Sequence, residues 1–325
     1  MDPITHGLTG AALSLFYREA QPKEHEEPVS GQVSSRKAVF WTVVTASVIP
    51  DIDYVYRIAG DFTYFKFHRG PTHSIPGIIL LALFLSLVLS RVFPGMKKLA
   101  LFGWSLLGLT FHVSLDLLNT YSTYALWPFS PKPLSFDILM IIDPILWVIL
   151  AAGIILSRLK RMKAAGRKIA LSVFLLLTLY VGTRVYVHWD LEHSIARQFN
   201  GVSPERIAVI PGLFGISSWN YIIESPKEYV MGSITYPRHL IRESRRLTKE
   251  GGNDFINKAL GTEVGRVLSY FTPFLYVKTQ PEGDRYVVTL SDLRYSYNDS
   301  FGLTARIILN KNHQVVSETF KPFHK

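Results

Sequence analysis

The chain has 325 residues, 48% of them hydrophobic, and a formal net charge of +10. This length suffices for two domains. Cysteine is absent, which excludes disulfides and thiolate ligands, so any metal site must use histidine, carboxylate or water. The first residues, Met-Asp-Pro-Ile-Thr-His, lack the basic stretch that is typical of a cleavable signal peptide.

Nearly all long apolar runs fall within residues 1–189, which predicts an α-helical multi-pass membrane domain. Two early stretches, Pro3–Tyr17 and Ala38–Pro50, are shorter than the ~20 residues that cross a hydrocarbon core. They are expected to be tilted, half-inserted or packed inside the helix bundle. Clearer spans follow at Ile75–Phe93, Leu99–Leu118, Phe136–Leu156 and Ile169–Trp189.

Basic residues predict the orientation of these spans. Lysine and arginine cluster in the loops 18–37, 91–98 and 158–168, and the positive-inside rule places such loops in the cytoplasm. The alternate loops, 51–74 and 119–135, then lie outside. The pattern therefore indicates a plasma-membrane protein whose polar loops and C-terminal domain are extracytoplasmic.

Residues 190–325 predict a soluble α+β domain. A helical stretch at 190–200 precedes segments in which apolar residues alternate as in β-strands. We expect a basic helix at 239–249, a further helix at 254–268 and a hairpin turn at 310–312. The predicted strands are 206–210, 218–224, 228–234, 286–291, 303–309 and 315–320.

Potential metal ligands accompany the apolar segments. His112 and Asp116 are four residues apart in an apolar run, so a helix places them on one face. Burying two such polar groups in a membrane is costly unless they contact each other, water or a metal ion. The alternative to metal binding is a simple hydrogen bond between them that helps the helices pack. Asp51 and Asp53 follow the second apolar stretch, where they can bind an ion or remain solvated acids.

The loop that follows offers two imidazoles and a guanidinium. His68 and His73 flank a Gly-Pro turn and can converge on one centre, while Arg69 can bind an anionic group in bidentate fashion. A plain interfacial loop is the alternative. Asp143, before Pro144, is either a ligand or a helix cap. His6 is a weak candidate when taken alone and becomes a candidate ligand only together with the other residues. The predicted topology brings all these residues to the outer face.

Taken in order, these segments resemble a family of bacterial membrane-bound, metal-dependent hydrolases described as LexA-regulated inner-membrane proteins. The resemblance covers residues 1–190 and implies little about the C-terminal domain. The ligand types are similar, by analogy, to those of zinc-dependent phospholipases C, which hydrolyse phosphodiesters. The matching segments are Asp2-Pro3-Ile4-Thr5-His6-Gly7, Pro50-Asp51-Ile52-Asp53, His68-Arg69-Gly70-Pro71-Thr72-His73-Ser74, His112-Val113-Ser114-Leu115-Asp116 and Asp143-Pro144.

We therefore expect metal-assisted hydrolysis of a phosphoester or ester in a lipid-like or amphiphilic substrate at the bilayer surface. One or two divalent ions, zinc foremost, would lower the pKa of a bound water. Asp51 and Asp53 are expected to act as general base or ligand, and Arg69 to bind the anionic part of the substrate. The expected metal ligands are His6, Asp53, His68, His73, His112, Asp116 and Asp143.

Other classes of protein fit some of these features. A transporter also places histidine and aspartate inside a helix bundle, but the sequence shows no internal repeat of the kind many transporters have. A non-catalytic metal-binding membrane protein would keep the ligands without an open coordination position. Nucleic acid is not an expected partner, because the basic residues near the end of the chain fit a solvated helix face better (Arg242, Arg245, Arg246 and Lys249).

Overall fold

The computed structural model describes residues 1–18, 34–199, 204–212, 217–297 and 300–322. Packing divides the chain into two units, the first comprising Met1–Asp53 with Arg69–Arg184, and the second Tyr54–His68 with Val185–Lys325. A helical N-terminal region followed by antiparallel sheets and helices confirms the predicted fold class. The domain boundary expected at 189/190 falls inside one continuous helix.

The helices of the first unit carry its apolar surface. Four helical stretches among the described residues are long and apolar enough to cross a membrane, namely Ser35–Ala59, Ile75–Val92, Lys98–Leu117 and Gly166–Gln198. In chain order the α-helices are α1 (Pro3–Ser14), α2 (Ser35–Val48), α3 (Asp61–Phe67), α4 (Ile75–Val92), α5 (Lys98–Leu117), α6 (Pro144–Arg158), α7 (Gly166–Gln198), α8 (Asp254–Gly261) and α9 (Glu263–Phe271).

Two sequence predictions about the spans need correction. The second apolar stretch does not end at Pro50, because the chain continues as a 3-10 helix, Ile49–Ala59, and the combined stretch reaches 25 residues. The span expected at Phe136–Leu156 is wrong in its first part, since α6 starts only at Pro144. Asp143 accepts hydrogen bonds from the amides of Ile145 (3.1 Å) and Leu146 (3.4 Å), which fixes the helix start ahead of a proline.

Helix α2 lies at the centre of the bundle. On one side its buried Val39 and Val43 pack with Leu13 of α1. On another side Ala46 packs with Leu109 of α5 and Leu85 of α4. The last turn of α2 is therefore enclosed by neighbouring helices. Buried histidine and aspartate side chains lie next to this turn.

The second unit contains two four-stranded antiparallel sheets. The first has the order β1-β2-β3-β4 and the second the order β10-β9-β6-β5. The predicted hairpin turn at 310–312 is confirmed, because it joins the paired strands β9 and β10. The strands are β1 (Arg206–Pro211), β2 (Ser218–Glu224), β3 (Glu228–Thr235), β4 (Leu240–Thr248), β5 (Leu275–Glu282), β6 (Arg285–Asp292), β7 (Ser296–Tyr297), β8 (Ser300–Phe301), β9 (Leu303–Asn310) and β10 (Val315–Pro322).

The predicted strands are confirmed, and the helical segment at 254–268 is confirmed as the two helices α8 and α9. The helical segment expected at 190–200 is confirmed as far as Gln198, and residue 200 lies outside the described residues. The basic helix expected at 239–249 is wrong, because β4 occupies this segment and pairs with β3. Strand β5 was not predicted. Both of these strands lie at sheet edges, where charged residues and proline are common and the alternating pattern is weak.

Candidate metal centre

A buried cluster of imidazoles and carboxylates lies where α1, α2, α5 and the 3-10 turn Pro71–His73 meet. Asp51, His73, His112 and Asp116 each offer one ligand atom, and these atoms all lie within 4.8 Å of one another. We call these four residues the His/Asp cluster. Three of them are buried, and only the Asp51 side chain keeps appreciable exposure, at 19%. The cluster therefore opens to its surroundings at Asp51.

The spacing of the ligand atoms suits one cation. The Nε2 atoms of His73 and His112 are 3.0 Å apart, and each lies 3.3 Å from Oδ2 of Asp116. Asp51 Oδ1 lies 3.5 and 3.6 Å from the same two nitrogens. Zn–N bonds of ~2.0–2.1 Å place two ligands of a tetrahedral ion about 3.3 Å apart. Shifts of a few tenths of an ångström would thus create coordination geometry.

The end of α2 orients His112. Carbonyl groups in the last turn of a helix lack intrahelical donors. The Ser47 carbonyl of this turn accepts a hydrogen bond from Nδ1 of His112 at 2.8 Å. Because the proton lies on Nδ1, the lone pair of Nε2 faces the cluster, as it must in a metal ligand.

Asp53 contacts His73 on the side away from the cluster centre. Its Oδ2 is 3.5 Å from His73 Nδ1 and accepts hydrogen bonds from the Arg69 amide (2.9 Å) and the Thr72 hydroxyl (3.2 Å). Burial lowers the pKa of His73, but hydrogen bonds to Asp116 and Asp51 outweigh it and raise the pKa above its ordinary value. His73 Nδ1 forms its hydrogen bond with the Thr72 hydroxyl at 3.0 Å, so Asp53 orients His73 mainly through Thr72. The predicted role of Asp53 as ligand or base stays a prediction.

His6 of α1 adds a further imidazole. Its ring stacks on His112 with 3.7 Å between the centroids, and its Nε2 is 3.3 Å from Asp116 Oδ1. The side chain is fully buried, and neither ring nitrogen meets hydrogen-bond geometry with a described residue. Burial and the nearby His112 lower the pKa of His6 to about 4. A neutral, buried imidazole without hydrogen bonds is costly, and coordination of a cation would offset that cost.

Arg69 is buried beside the cluster instead of reaching into solvent. Its Nη2 lies 2.9 Å from Asp116 Oδ1, which the Met1 amino group also contacts. Its Nη1 donates to Asn119 Oδ1 (3.1 Å) and to the Tyr121 carbonyl (2.7 Å). With φ at +58°, Arg69 occupies the left-handed region that non-glycine residues adopt at a cost. These contacts position Asp116, while substrate binding by Arg69 stays a prediction.

Two expected ligands have other contacts. Asp143 caps α6 and accepts a hydrogen bond from the Tyr180 hydroxyl at 2.8 Å, so the capping alternative describes its surroundings. His68 belongs to the second unit, where its ring stacks on Tyr64 with 4.5 Å between the centroids. For both residues, a role as metal ligand stays a prediction.

Two glycines that the sequence reading missed allow the close packing behind the cluster. A Cβ on Gly108 would come within 2.9 Å of the Val43 carbonyl and 3.0 Å of Ser47 Oγ, and a Cβ on Gly10 within 2.8 Å of the same hydroxyl. Small residues of this kind let membrane helices approach closely. Each glycine lies four residues from a histidine of the site, His112 or His6, on the same helix face. That spacing is the signal that could have revealed them.

Replacing Gly108 with valine is expected to push α5 away from α2. Overpacking typically costs ~1–3 kcal/mol. This displacement should weaken the hydrogen bond from His112 to the Ser47 carbonyl. Loss of a hydrogen bond that orients a metal ligand typically lowers metal affinity about 10- to 100-fold, and we expect a decrease of that size. Gly103→Val is the matched control on α5, because a Cβ there meets no atom within 4 Å. Equal metal affinity in the two variants, measured by chelator competition, would contradict this role.

Fold and site together define a membrane-type helical protein with a buried His/Asp cluster and a C-terminal α/β domain. The chain belongs to the YdjM inner membrane protein family, whose model matches residues 1–191 and so includes every residue of the cluster. This match supports the resemblance seen in the sequence at the level of an inner membrane protein. Regulation by LexA and hydrolytic activity stay predictions.

The C-terminal part of the chain has matches of its own. Residues 254–325 match the model described as the YfhP C-terminal alpha/beta plait domain. The chain is also similar to "Uncharacterized protein YfhP" from Bacillus subtilis (strain 168), with 24% identity over 297 residues, which are 91% of this chain and 87% of that protein. No solved structure matches the chain.

Proposed function

We propose that this protein is a membrane-bound, metal-dependent hydrolase whose divalent cation, zinc foremost, is held by the His/Asp cluster and His6. The observation that carries this proposal is the convergence of His73, His112 and Asp116 with Asp51, from three separate segments, within 4.8 Å. Imidazole nitrogens mixed with carboxylate oxygens are the donor set that zinc accepts. His6 Nε2 is buried, has no hydrogen bond with a described residue and lies 3.3 Å from Asp116 Oδ1, which supports His6 as a further ligand.

When bound, such an ion supplies Lewis-acid chemistry, because it lowers the pKa of water and polarises a phosphoryl or acyl oxygen. The residues of the chain do the positioning. The Ser47 carbonyl orients His112 through Nδ1. The Thr72 hydroxyl, which itself donates to Asp53, orients His73 through Nδ1. Asp51 is the partly exposed member of the cluster, so an incoming water would arrive beside it. The carboxylate oxygen that does not face the two histidines can accept a proton from that water.

Two features support an amphiphilic substrate. His73 lies just before the candidate span Ile75–Val92, and Asp116 lies near the end of the candidate span Lys98–Leu117. A site at the ends of membrane spans is expected near the level of the lipid head groups. An apolar cavity of about 380 Å³ lies between α5 and α7, and its lining includes Thr5, Leu115 and Leu118, which are near neighbours of His6 and Asp116 in sequence. That volume falls in the ~300–1,000 Å³ range of small-ligand pockets. The apolar part of a lipid ester or phosphoester has space there.

Purified full-length protein in detergent tests the proposed chemistry. We expect one or two zinc ions per chain by elemental analysis, and hydrolysis of bis(p-nitrophenyl) phosphate or a fluorogenic phospholipid that EDTA abolishes and zinc restores. Stoichiometric metal without hydrolysis of either substrate would favour the non-catalytic metal-binding alternative. Absence of stoichiometric metal would overturn both.

We also propose that the cluster and the C-terminal domain are extracytoplasmic. The support is the distribution of lysine and arginine, which cluster at 91–98 and 158–168 and are sparse at 119–135. Alkaline phosphatase fused after residue 325 should then be active in bacterial cells, and a cytoplasmic reporter at the same position inactive. The reverse result would place the site on the cytoplasmic face.

A further inference from the structure

A second cavity of the first unit lies at the other ends of α1, α2 and α6. Its volume is about 330 Å³, and its lining includes Arg36, Lys37 and Arg158 together with Leu15, Phe40 and Ile154. We call it the basic cavity. Arg36 precedes Ser47 by eleven residues of α2, which is about 16 Å along a helix. The basic cavity is therefore separate from the His/Asp cluster and lies toward the opposite side of the helix bundle.

The cations of this cavity are not balanced within the described part of the chain. Arg36 and Lys37 lie in the first turn of α2, which contains no acidic residue. The helix dipole already makes this end positive, so two cations there are unfavourable. All three basic side chains are exposed, and none has a described carboxylate within the 4.0 Å of an ion pair. Water solvates them, so they are free to meet an anion that enters the cavity. An anion in the cavity would balance the charges.

The cavity walls select the kind of anion. Ser14 and Ser157 also line it, but their hydroxyls donate to the carbonyls of Ala11 (2.6 Å) and Ile154 (2.7 Å), which leaves recognition to the cations. The remaining lining is mainly apolar. A basic rim over an apolar floor fits a molecule with an anionic head and a hydrocarbon body, and α2 lies in a candidate membrane span.

Topology alone does not explain this arrangement. The positive-inside rule accounts for basic residues in any cytoplasmic loop, but it does not require residues from two helices to converge on one cavity. Basic pockets between membrane helices bind anionic lipid head groups. We infer that the basic cavity binds the phosphate of an anionic phospholipid between Arg36, Lys37 and Arg158, with the start of an acyl chain against Phe40 and Ile154.

Native mass spectrometry of the full-length protein in detergent tests this inference. Wild-type protein should retain one phosphatidylglycerol with at least tenfold preference over phosphatidylcholine. The triple variant Arg36→Gln/Lys37→Gln/Arg158→Gln should lose that preference. The control Arg91→Gln/Lys97→Gln/Lys98→Gln removes the same charge outside the cavity and should keep it. Equal loss in the two triple variants would overturn the inference in favour of diffuse attraction.

Two further measurements keep the test decisive. Inorganic phosphate should not stabilise the protein against heat as phosphatidylglycerol does, and stabilisation by inorganic phosphate alone would assign the cavity to the free anion instead of a lipid. If the triple variant fails to fold, Arg158→Gln alone should weaken phosphatidylglycerol binding at least threefold. Wild-type binding by a folded Arg158→Gln variant would then contradict the inference.

Discussion

Asp116→Asn is expected to reduce metal affinity by at least about 100-fold, more than the loss of an outer hydrogen bond does. The reason is that Asp116 contacts all three imidazoles of the site, with Oδ2 at 3.3 Å from both His73 and His112 and Oδ1 at 3.3 Å from His6. Asparagine keeps the shape of the side chain and removes its charge. Chelator competition followed by elemental analysis measures the change.

Asp143→Asn is the matched control, because Asp143 is also a fully buried carboxylate in the same unit. Asparagine is a competent helix cap, so this variant should keep its metal and lose little stability. If Asp143→Asn lost as much metal as Asp116→Asn, Asp143 would be a ligand as the sequence first indicated. The proposed ligand set would then need revision.

Arg69→Met is expected to lower the free energy of unfolding of metal-free protein by about 3–5 kcal/mol. Removing one partner of a buried ion pair leaves the other charge uncompensated, and Asp116 would be that charge. The Met1 amino group compensates part of it, so the lower end of the range is expected. Unfolding in mixed detergent micelles with increasing dodecyl sulfate provides the measurement.

A double-mutant cycle separates positioning from substrate binding. Adding Asp116→Asn to Arg69→Met should cost less than the sum of the single variants by about 1–3 kcal/mol. Arg57→Met is the control, since its pair with Asp61 is exposed and is expected to change stability by no more than about 0.5 kcal/mol. If Arg69→Met were as stable as the control but inactive, Arg69 would bind substrate as the sequence suggested.

The sequence predicts the His/Asp cluster because membrane burial makes polar residues conspicuous. His112 and Asp116 stand out in an apolar run, and their i, i+4 spacing is sufficient to place them on one face. Asp143 shows the limit of such reasoning. An aspartate before a proline and an apolar run has the same local signature whether it caps the helix or binds a metal. The metal content of the Asp143→Asn variant distinguishes the two.

The errors in the predicted secondary structure have physical causes. Pro50 and the two aspartates after it look like the end of a span, yet a 3-10 helix tolerates them and continues to Ala59. Strands β4 and β5 lie at sheet edges and each packs on one neighbour, so their side chains need not alternate between core and solvent. The two glycines beside Ser47 are important because they have no Cβ atom, which lets the helices pack closely. The amino-acid composition gives no indication of this role.

The proposed ligands come from four stretches of chain, around residues 6, 51, 73 and 112–116, so a single cation would cross-link most of the membrane bundle. Binding to the folded state alone adds about 4 kcal/mol when the free metal exceeds its dissociation constant 1,000-fold. Starvation for the metal would therefore loosen the whole bundle as well as empty the site. Proteolysis would then remove the metal-free protein, and its cellular lifetime would follow the supply of the ion.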